Sequence, residues 1–322
     1  MQEIFVKSFV FRPDVLYTLE KYSIAHGILT VRETVRMGIF KTITRRKALG
    51  AVLAVSATQI LPGDSLAATS QPKYRSNVRP KAKGETKVVY LGGDILHCGY
   101  TQDVSLRCTF RPAGWRFLSA TDARYITPEF ISDADLLVIT RWGGPIIGYG
   151  QGPIIERSLD DMDGYMSDEL ENAIVDNVMN RGMGFMSLHC TIWTPEKKKF
   201  TEMMGIKGRM HGPIQKVHLH NFNQDNPITM GFKDFDLSLD ENFGVELTNP
   251  NAVALYETTG ESDKRHDIAG WCVEQGKGRV VGLAIGHTHE PWMNAACREL
   301  HWRAAHWAMK KQIPEFKAAQ VW

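Results

Sequence analysis

Three short stretches of this 322-residue sequence carry side chains that could do chemistry: His189-Cys190, Asp240-Glu241 and His287-Thr288-His289-Glu290. Imidazole beside carboxylate can move protons near neutral pH, because histidine titrates there and a carboxylate accepts or orients the proton. His189, His287 and Glu241 are therefore the candidate acid–base residues. The same three would suit a divalent metal such as zinc by ligand type, although their spacing matches no metal motif. A third chemistry is nucleophilic, with Cys190 attacking, His287 or His289 as base, and Glu290 fixing the base's tautomer. It is weakened by residues 184–191, GFMSLHCT, where no glycine follows Cys190 as a nucleophile elbow of the Gly-x-Cys-x-Gly kind requires.

These residues can cooperate only if the chain brings them together, and the strand pattern says where they fall. Residues 87–91 (KVVYL), 134–140 (ADLLVIT), the run ending at His189, and 280–285 are continuous apolar stretches rather than alternating ones. Continuous apolarity implies strands covered on both faces, as in a parallel sheet. Residues 168–180 carry Leu170, Ile174, Val175 and Val178 at helical spacing and close on Arg181-Gly182. Residues 195–204 resemble a helix, and a terminal helix over 292–310 has Ala295, Ala296, Leu300, Ala304, Trp307 and Ala308 as its apolar stripe. The remaining strands read as 114–120 at an edge, 215–220 with His218 and His220 on one face, 252–256 and 268–273, the last turning at Gly276–Arg279 into 280–285. Residues 205–211 and 226–232 read as turns, and 235–245 as an acidic segment. The fold class is α/β, a doubly wound, mostly parallel sheet in one domain over 87–322. In such sheets ligands bind at the carboxyl ends of the strands, so His189 and His287 should line one pocket. Gly92-Gly93 would let a ligand approach the backbone but make no dinucleotide fingerprint.

A net charge of +2 with no broad basic face argues against a nucleic-acid partner. The five cysteines form no C-x-x-C pair, and Cys98 with Cys108 is a conceivable disulfide beside the alternative of free thiols. Thr44-Arg45-Arg46-Lys47-Ala48-Leu49, the apolar run after it and Ser65-Leu66-Ala67-Ala68 have the layout of a twin-arginine signal peptide over 37–68. The run is short of the about 20 residues of a membrane span, so no stable span is expected once the signal is removed. Export to the periplasm is the expected localisation. Residues 1–36 read either as an upstream extension before Met37 or as an unusually long basic region of the signal, and 69–86 as a linker.

The ordered set Gly184–His189, Met210-His211-Gly212-Pro213, Asn226-Pro227-Ile228-Thr229-Met230-Gly231, Asp240-Glu241-Asn242-Phe243, Gly276-Lys277-Gly278-Arg279 and Gly286-His287 resembles the ThuA-like, or trehalose-utilisation, family. The resemblance implies a flavodoxin-type, glutamine-amidotransferase-like fold without the amidotransferase cysteine, and a place in carbohydrate metabolism beside enzymes of keto-sugars. Phe243 stands where such sequences usually carry tyrosine, and His289-Glu290 is additional. The resemblance makes a small carbohydrate the expected partner, with Asp240, Arg141, Trp142, Trp193, His211, His289 and Glu290 as substrate-binding candidates. Trp271, Trp292 and Arg209 are weaker ones. The leading expectation is an exported hydrolase, lyase or isomerase of a sugar or keto-sugar derivative. The alternatives are a carbohydrate-binding protein without turnover and a Cys190-dependent amidohydrolase, and the sequence leaves a homo-oligomer open.

Overall fold

The computed structural model describes residues 11–12, 15–16, 22–25, 28–31, 78–94, 96–121, 126–141, 166–194 and 197–317. The chain divides into two units, Met1–Lys73 and Tyr74–Trp322. In the first, β1 (Phe11–Arg12) pairs antiparallel with β2 (Val15–Leu16), and β3 (Tyr22–Ala25) with β4 (Ile28–Val31). The twin-arginine segment lies outside the described residues.

The second unit is built on one large sheet. Its strands are β5 (Lys87–Gly92), β6 (Arg116–Ala120), β7 (Leu136–Thr140), β8 (Gly184–Leu188), β9 (Ile206–Gly208), β10 (Ile214–His220), β11 (Phe235–Glu241), β12 (Val245–Leu247), β13 (Val253–Gly260), β14 (His266–Gln275) and β15 (Gly278–Leu283). The helices are α1 (Gly99–Phe110), α2 (Pro128–Ile131), α3 (Asp168–Asp176), α4 (Lys198–Met204), α5 (His289–Met293) and α6 (Ala295–Ala308). Every residue of β5, β7 and β8 is buried, which is why their sequences are apolar without alternation. They run parallel in the order β6-β5-β7-β8-β15, the 2-1-3-4-5 order of a doubly wound sheet. A Cβ at Gly184 would lie 2.8 Å from the Ala308 carbonyl of α6. The next residue, Phe185, meets Phe200 of α4 with ring centroids 5.3 Å apart. Successive strand residues face opposite ways, so α6 and α4 cover opposite faces.

Beyond β15 the sheet continues antiparallel as β14-β13-β10-β11, with β12 attached to β14 and β9 to β12. Residues 205–211, read as a turn, thus include strand β9, which is only three residues long and too short to show a pattern. Four successive antiparallel steps give β11 the same direction as β15, so Asp240 and Glu241 finish at the edge where His189 and His287 emerge. A flat sheet would put β11 about 19 Å from β15 at the usual strand spacing. Register irregularities between Gln215 and Val217, and on β13 around Tyr256, accompany a wing that curls back over that edge.

Helix α1 buries Gly99, Thr101, Gln102, Ser105, Leu106, Thr109 and Phe110, a face too polar to announce itself in the sequence. Hydrogen bonds hold it instead: Tyr90 Oη donates to Gln102 Oε1 at 2.9 Å, Ser105 Oγ to the Trp292 carbonyl at 2.5 Å, and Arg298 Nε to Thr109 Oγ1 at 3.0 Å. Cys98 caps the start of this helix and Cys108 lies in its last turn, ten residues on and about 15 Å along the axis, beyond the ~7 Å a disulfide spans. Both are free thiols. Residues from Arg79 onward, expected as linker, are fastened to the domain by Lys81 Nζ on Asp135 at 2.6 Å and Arg116 Nη2 on the Arg79 carbonyl at 2.8 Å. Among the described residues no helix is long and apolar enough to cross a membrane.

On α6, His301 is buried against Trp292, ring centroids 5.1 Å apart, with neither ring nitrogen hydrogen-bonded. Burial, and secondarily the charge of Arg298, push it from 6.5 down to about 3. The unfolded chain takes up a proton below about 6.5 that the folded ring refuses, so this contribution is full above that pH and is lost as pH falls toward about 3. One proton corresponds to about 1.4 kcal/mol per pH unit. Urea melts of His301→Phe should show a shallower acid limb than the wild type over that window; parallel limbs would mean the ring protonates within the fold.

Candidate active site

Four elements deliver side chains to the carboxyl edge of the parallel strands. The loop after β5 carries Asp94 and His97, His189 follows directly on β8, the loop after β15 carries His287, and the curled wing brings Asp240 and Glu241. His189 has φ 46°, in the left-handed region that a residue with a Cβ enters at a cost. It is the pivot where an extended strand turns sharply into the one-turn helix His189–Ile192. That pivot is the geometry of a nucleophile elbow, and an imidazole occupies it. Cys190, the next residue, is turned inward, with its thiol 3.8 Å from Asp94 Oδ2. Burial first, and Asp94 second, push that thiol far above its usual range, so it remains protonated.

The imidazoles of His97, His189 and His287 meet edge to face, with centroid separations of 4.9, 5.0 and 5.5 Å. Two are oriented by their Nδ1 atoms. His97 Nδ1 lies 2.7 and 2.8 Å from the two Asp94 carboxylate oxygens, and His189 Nδ1 donates to the Ala284 carbonyl at 2.9 Å. His189 Nε2 is left buried without a hydrogen-bond partner, 3.5 Å from Glu241 Oε2. The same oxygen is 3.2 Å from His287 Nδ1, and Glu241 Oε1 is 3.2 Å from His211 Nδ1. One carboxylate thus contacts three imidazoles. Burial drives His189 well below the usual imidazole range, helped by His97 and opposed by the bond to Ala284. Glu241 raises His287 against the effect of its partial burial.

Asp240, adjacent to Glu241 but facing the other way, is fully buried and accepts three consecutive backbone N–H groups: Gly286 at 2.9 Å, His287 at 2.8 Å and Thr288 at 3.2 Å. Burial lifts it to about 6 against the pull of those amides. Glu290 accepts from the Ser238 and Leu239 N–H groups, both at 2.9 Å, and His289 Nδ1 lies 2.9 Å from Thr101 Oγ1. These three residues, expected to touch substrate, instead hold the wing, the β15 loop and α1 together.

Of the other expected substrate residues, His211 joins the cluster and is the most exposed of its imidazoles, while Arg141 is buried with Nη1 on the Gly93 carbonyl and on the Thr121 carbonyl at 3.2 Å. Trp193 is half-buried and packs against the core, and Trp142 lies outside the described residues. Trp271 and Trp292 are buried, their indole N–H groups donating to the Met204 and Gly286 carbonyls, so neither offers a face to a sugar. Arg209 lies 3.4 Å from Asp267. Asp94 and His97 join the site without having stood among its sequence candidates. Their signal was present, an Asp-x-x-His following the glycine loop of the first strand.

The sequence profile of the ThuA family, described as trehalose utilisation, matches residues 119–308. Among solved structures, a ThuA-like protein from Parabacteroides merdae is similar over 72% of this chain and 92% of its own, at 15% identity and a TM-score of 0.55. A ThuA-like protein from Bacteroides uniformis is similar over 77% of this chain and 98% of its own, at 14% identity and a TM-score of 0.52. At such identities the likeness is one of fold. No curated protein matches the sequence.

The Asp240 clamp has a measurable consequence. In Asp240→Asn one acceptor becomes an amide donor facing a backbone N–H, and a buried donor without a partner costs about 1–3 kcal/mol. The urea midpoint should fall accordingly with an unchanged m-value; an unshifted midpoint would show that the clamp contributes nothing to the fold.

Proposed function

Because the chain belongs to the ThuA, or trehalose-utilisation, family, we propose that it is an enzyme acting on a sugar or keto-sugar derivative, by proton transfer of the lyase or isomerase type at Glu241. The observation that carries this reading is the contact of one carboxylate with His189, His211 and His287 at a strand-end pocket. A carboxylate so placed can take a proton from carbon beside a carbonyl while neighbouring imidazoles polarise the oxygen. Retaining and inverting glycosidases need a second working carboxyl group. Among the described residues, two carboxyl groups beside the cluster are committed elsewhere: Asp240 to three backbone amides and Asp94 to His97 and the Leu96 and His97 N–H groups. That disfavours glycoside hydrolysis of the two-carboxylate kind. Cys190, buried and protonated, has no part in the reaction.

The same proposal has the chain exported by the twin-arginine route, on the strength of Arg45-Arg46 and the apolar run behind them. Replacing both arginines by lysine should leave the precursor in the cytoplasm; unimpaired export would remove that part.

The enzymatic reading is tested by assaying 3-keto-glycosides and common disaccharides with the purified chain. Glu241→Gln should lower kcat by about 10²- to 10⁴-fold, the usual worth of a general base, and His189→Ala should also lose turnover. Cys190→Ala should retain it. Wild-type turnover in Glu241→Gln would remove the carboxylate from the mechanism, and saturable sugar binding without product would replace the enzyme by a carbohydrate-binding protein.

A further inference from the structure

We propose that the pocket is a divalent transition-metal centre, zinc by ligand type, held by His97, His189 and His287. This rests on reading the same pocket as the working site, and it adds a ligand, His97, that sequence spacing does not reveal.

The first argument is the orientation of the rings. A histidine that binds a metal through one nitrogen usually donates the other N–H to a carboxylate or a backbone carbonyl, which fixes both tautomer and direction. His97 does the first through Asp94 and His189 the second through Ala284. In both, Nδ1 is the nitrogen engaged, which leaves Nε2 as the one that can face a metal. One ring nitrogen from each of His97, His189 and His287 lies within 4.8 Å of the others. Lone pairs converging in a buried place repel one another unless a proton or a cation sits among them. His189 Nε2 has no hydrogen-bond partner, with Glu241 Oε2 standing 3.5 Å away.

The second argument is where the ligands come from. The loops after β5, β8 and β15, three strands of one rigid parallel sheet, each supply one imidazole. Nitrogens bound to one tetrahedral zinc at ~2.0–2.1 Å lie roughly 3.4 Å apart, so side-chain rotations that draw these atoms in from within 4.8 Å would bring them onto one ion. Three protein ligands with a remaining open position is the pattern of catalytic rather than structural zinc. When bound, the metal would act as a Lewis acid on a substrate oxygen. Glu241 then stays available for the proton, with His211 on its other oxygen.

The experiment uses the full purified chain, stripped with a chelator, and titrated with Co²⁺ followed by visible absorption and with Zn²⁺ followed by calorimetry. One equivalent per chain is expected, with the intense visible bands of low-coordinate cobalt. His97→Gln, His189→Gln and His287→Gln should each weaken binding at least ~100-fold, and Asp94→Asn about 10- to 100-fold as second-shell losses do. Circular dichroism of each metal-free variant establishes that the fold is intact. The surface group His220, Glu257 and His266 provides the control, and His220→Ala with His266→Ala should leave the high-affinity equivalent unchanged. The proposal is overturned if the wild type binds no equivalent, if a folded His97→Gln binds as the wild type does, or if the surface variant abolishes binding. Because metal uptake is read without substrate, the two readings fail separately. Stoichiometric binding without sugar turnover upholds the metal centre and removes the enzyme, whereas sugar turnover by a wild type that binds no equivalent does the reverse.

Discussion

The pocket depends on a single buried carboxylate that joins two distant parts of the sheet. Asp240 closes β11, four strands from β15, onto the three consecutive amides of Gly286, His287 and Thr288. Strand neighbours point to opposite sides, so fixing Asp240 against that loop fixes Glu241 into the pocket. Thr288 Oγ1 donates to the Leu239 carbonyl at 2.5 Å, and Glu290 takes the two preceding amides of β11, so the closure is made along a whole stretch of strand. Without it the wing would have no reason to curl, and Glu241 would stand far from His189. The negative charge that burial opposes is accommodated because every amide on that turn points at it.

The second constraint is the pivot at His189. The left-handed backbone there leaves little room, and Gly286, with φ 135°, is the residue that provides it: a Cβ at that position would lie 2.9 Å from Trp292 and 3.3 Å from His189 Cβ. Trp292 backs the loop by donating its indole N–H to the Gly286 carbonyl at 2.9 Å. His301 stacks behind Trp292, so the terminal helix supports the site through one indole. Sheet, loop and helix therefore constrain one imidazole from three directions.

The parts of this arrangement that were legible in the sequence are those that rest on local patterns. Residues 134–140 and 184–188 read as buried strands because both faces are covered, and the order of strands and helices gave the doubly wound class. With strand direction known, His189 and His287 had to share an edge. The wing was another matter. Nothing local in residues 214–241 reveals that the strand ending at Glu241 returns to the parallel edge, because that follows from four pairings and their irregular registers. The backbone partners of Asp240 and Glu290 are hidden in the sequence for the same reason. Both are acidic residues near a site, and only the fold reveals that backbone amides, rather than a ligand, consume their oxygens. His97 was hidden by its setting, in a loop leading into a helix whose buried face is threonine, glutamine and serine.

What distinguishes His189 from a residue kept for folding is that two unfavourable features coincide on it. A non-glycine residue in the left-handed region costs on the order of 1–3 kcal/mol, and a buried nitrogen without a partner costs about 1–3 kcal/mol more. Glycine at 189 would relieve both at once. Yet the surroundings work to keep the ring: Ala284 holds Nδ1, Gly286 yields space, and His97 and Glu241 face Nε2. Strain and an unmet lone pair maintained by so many neighbours are the physical signature of a group held ready for something outside the chain. Cys190 beside it has none of these features, with ordinary burial and a thiol that burial pushes well above its usual range.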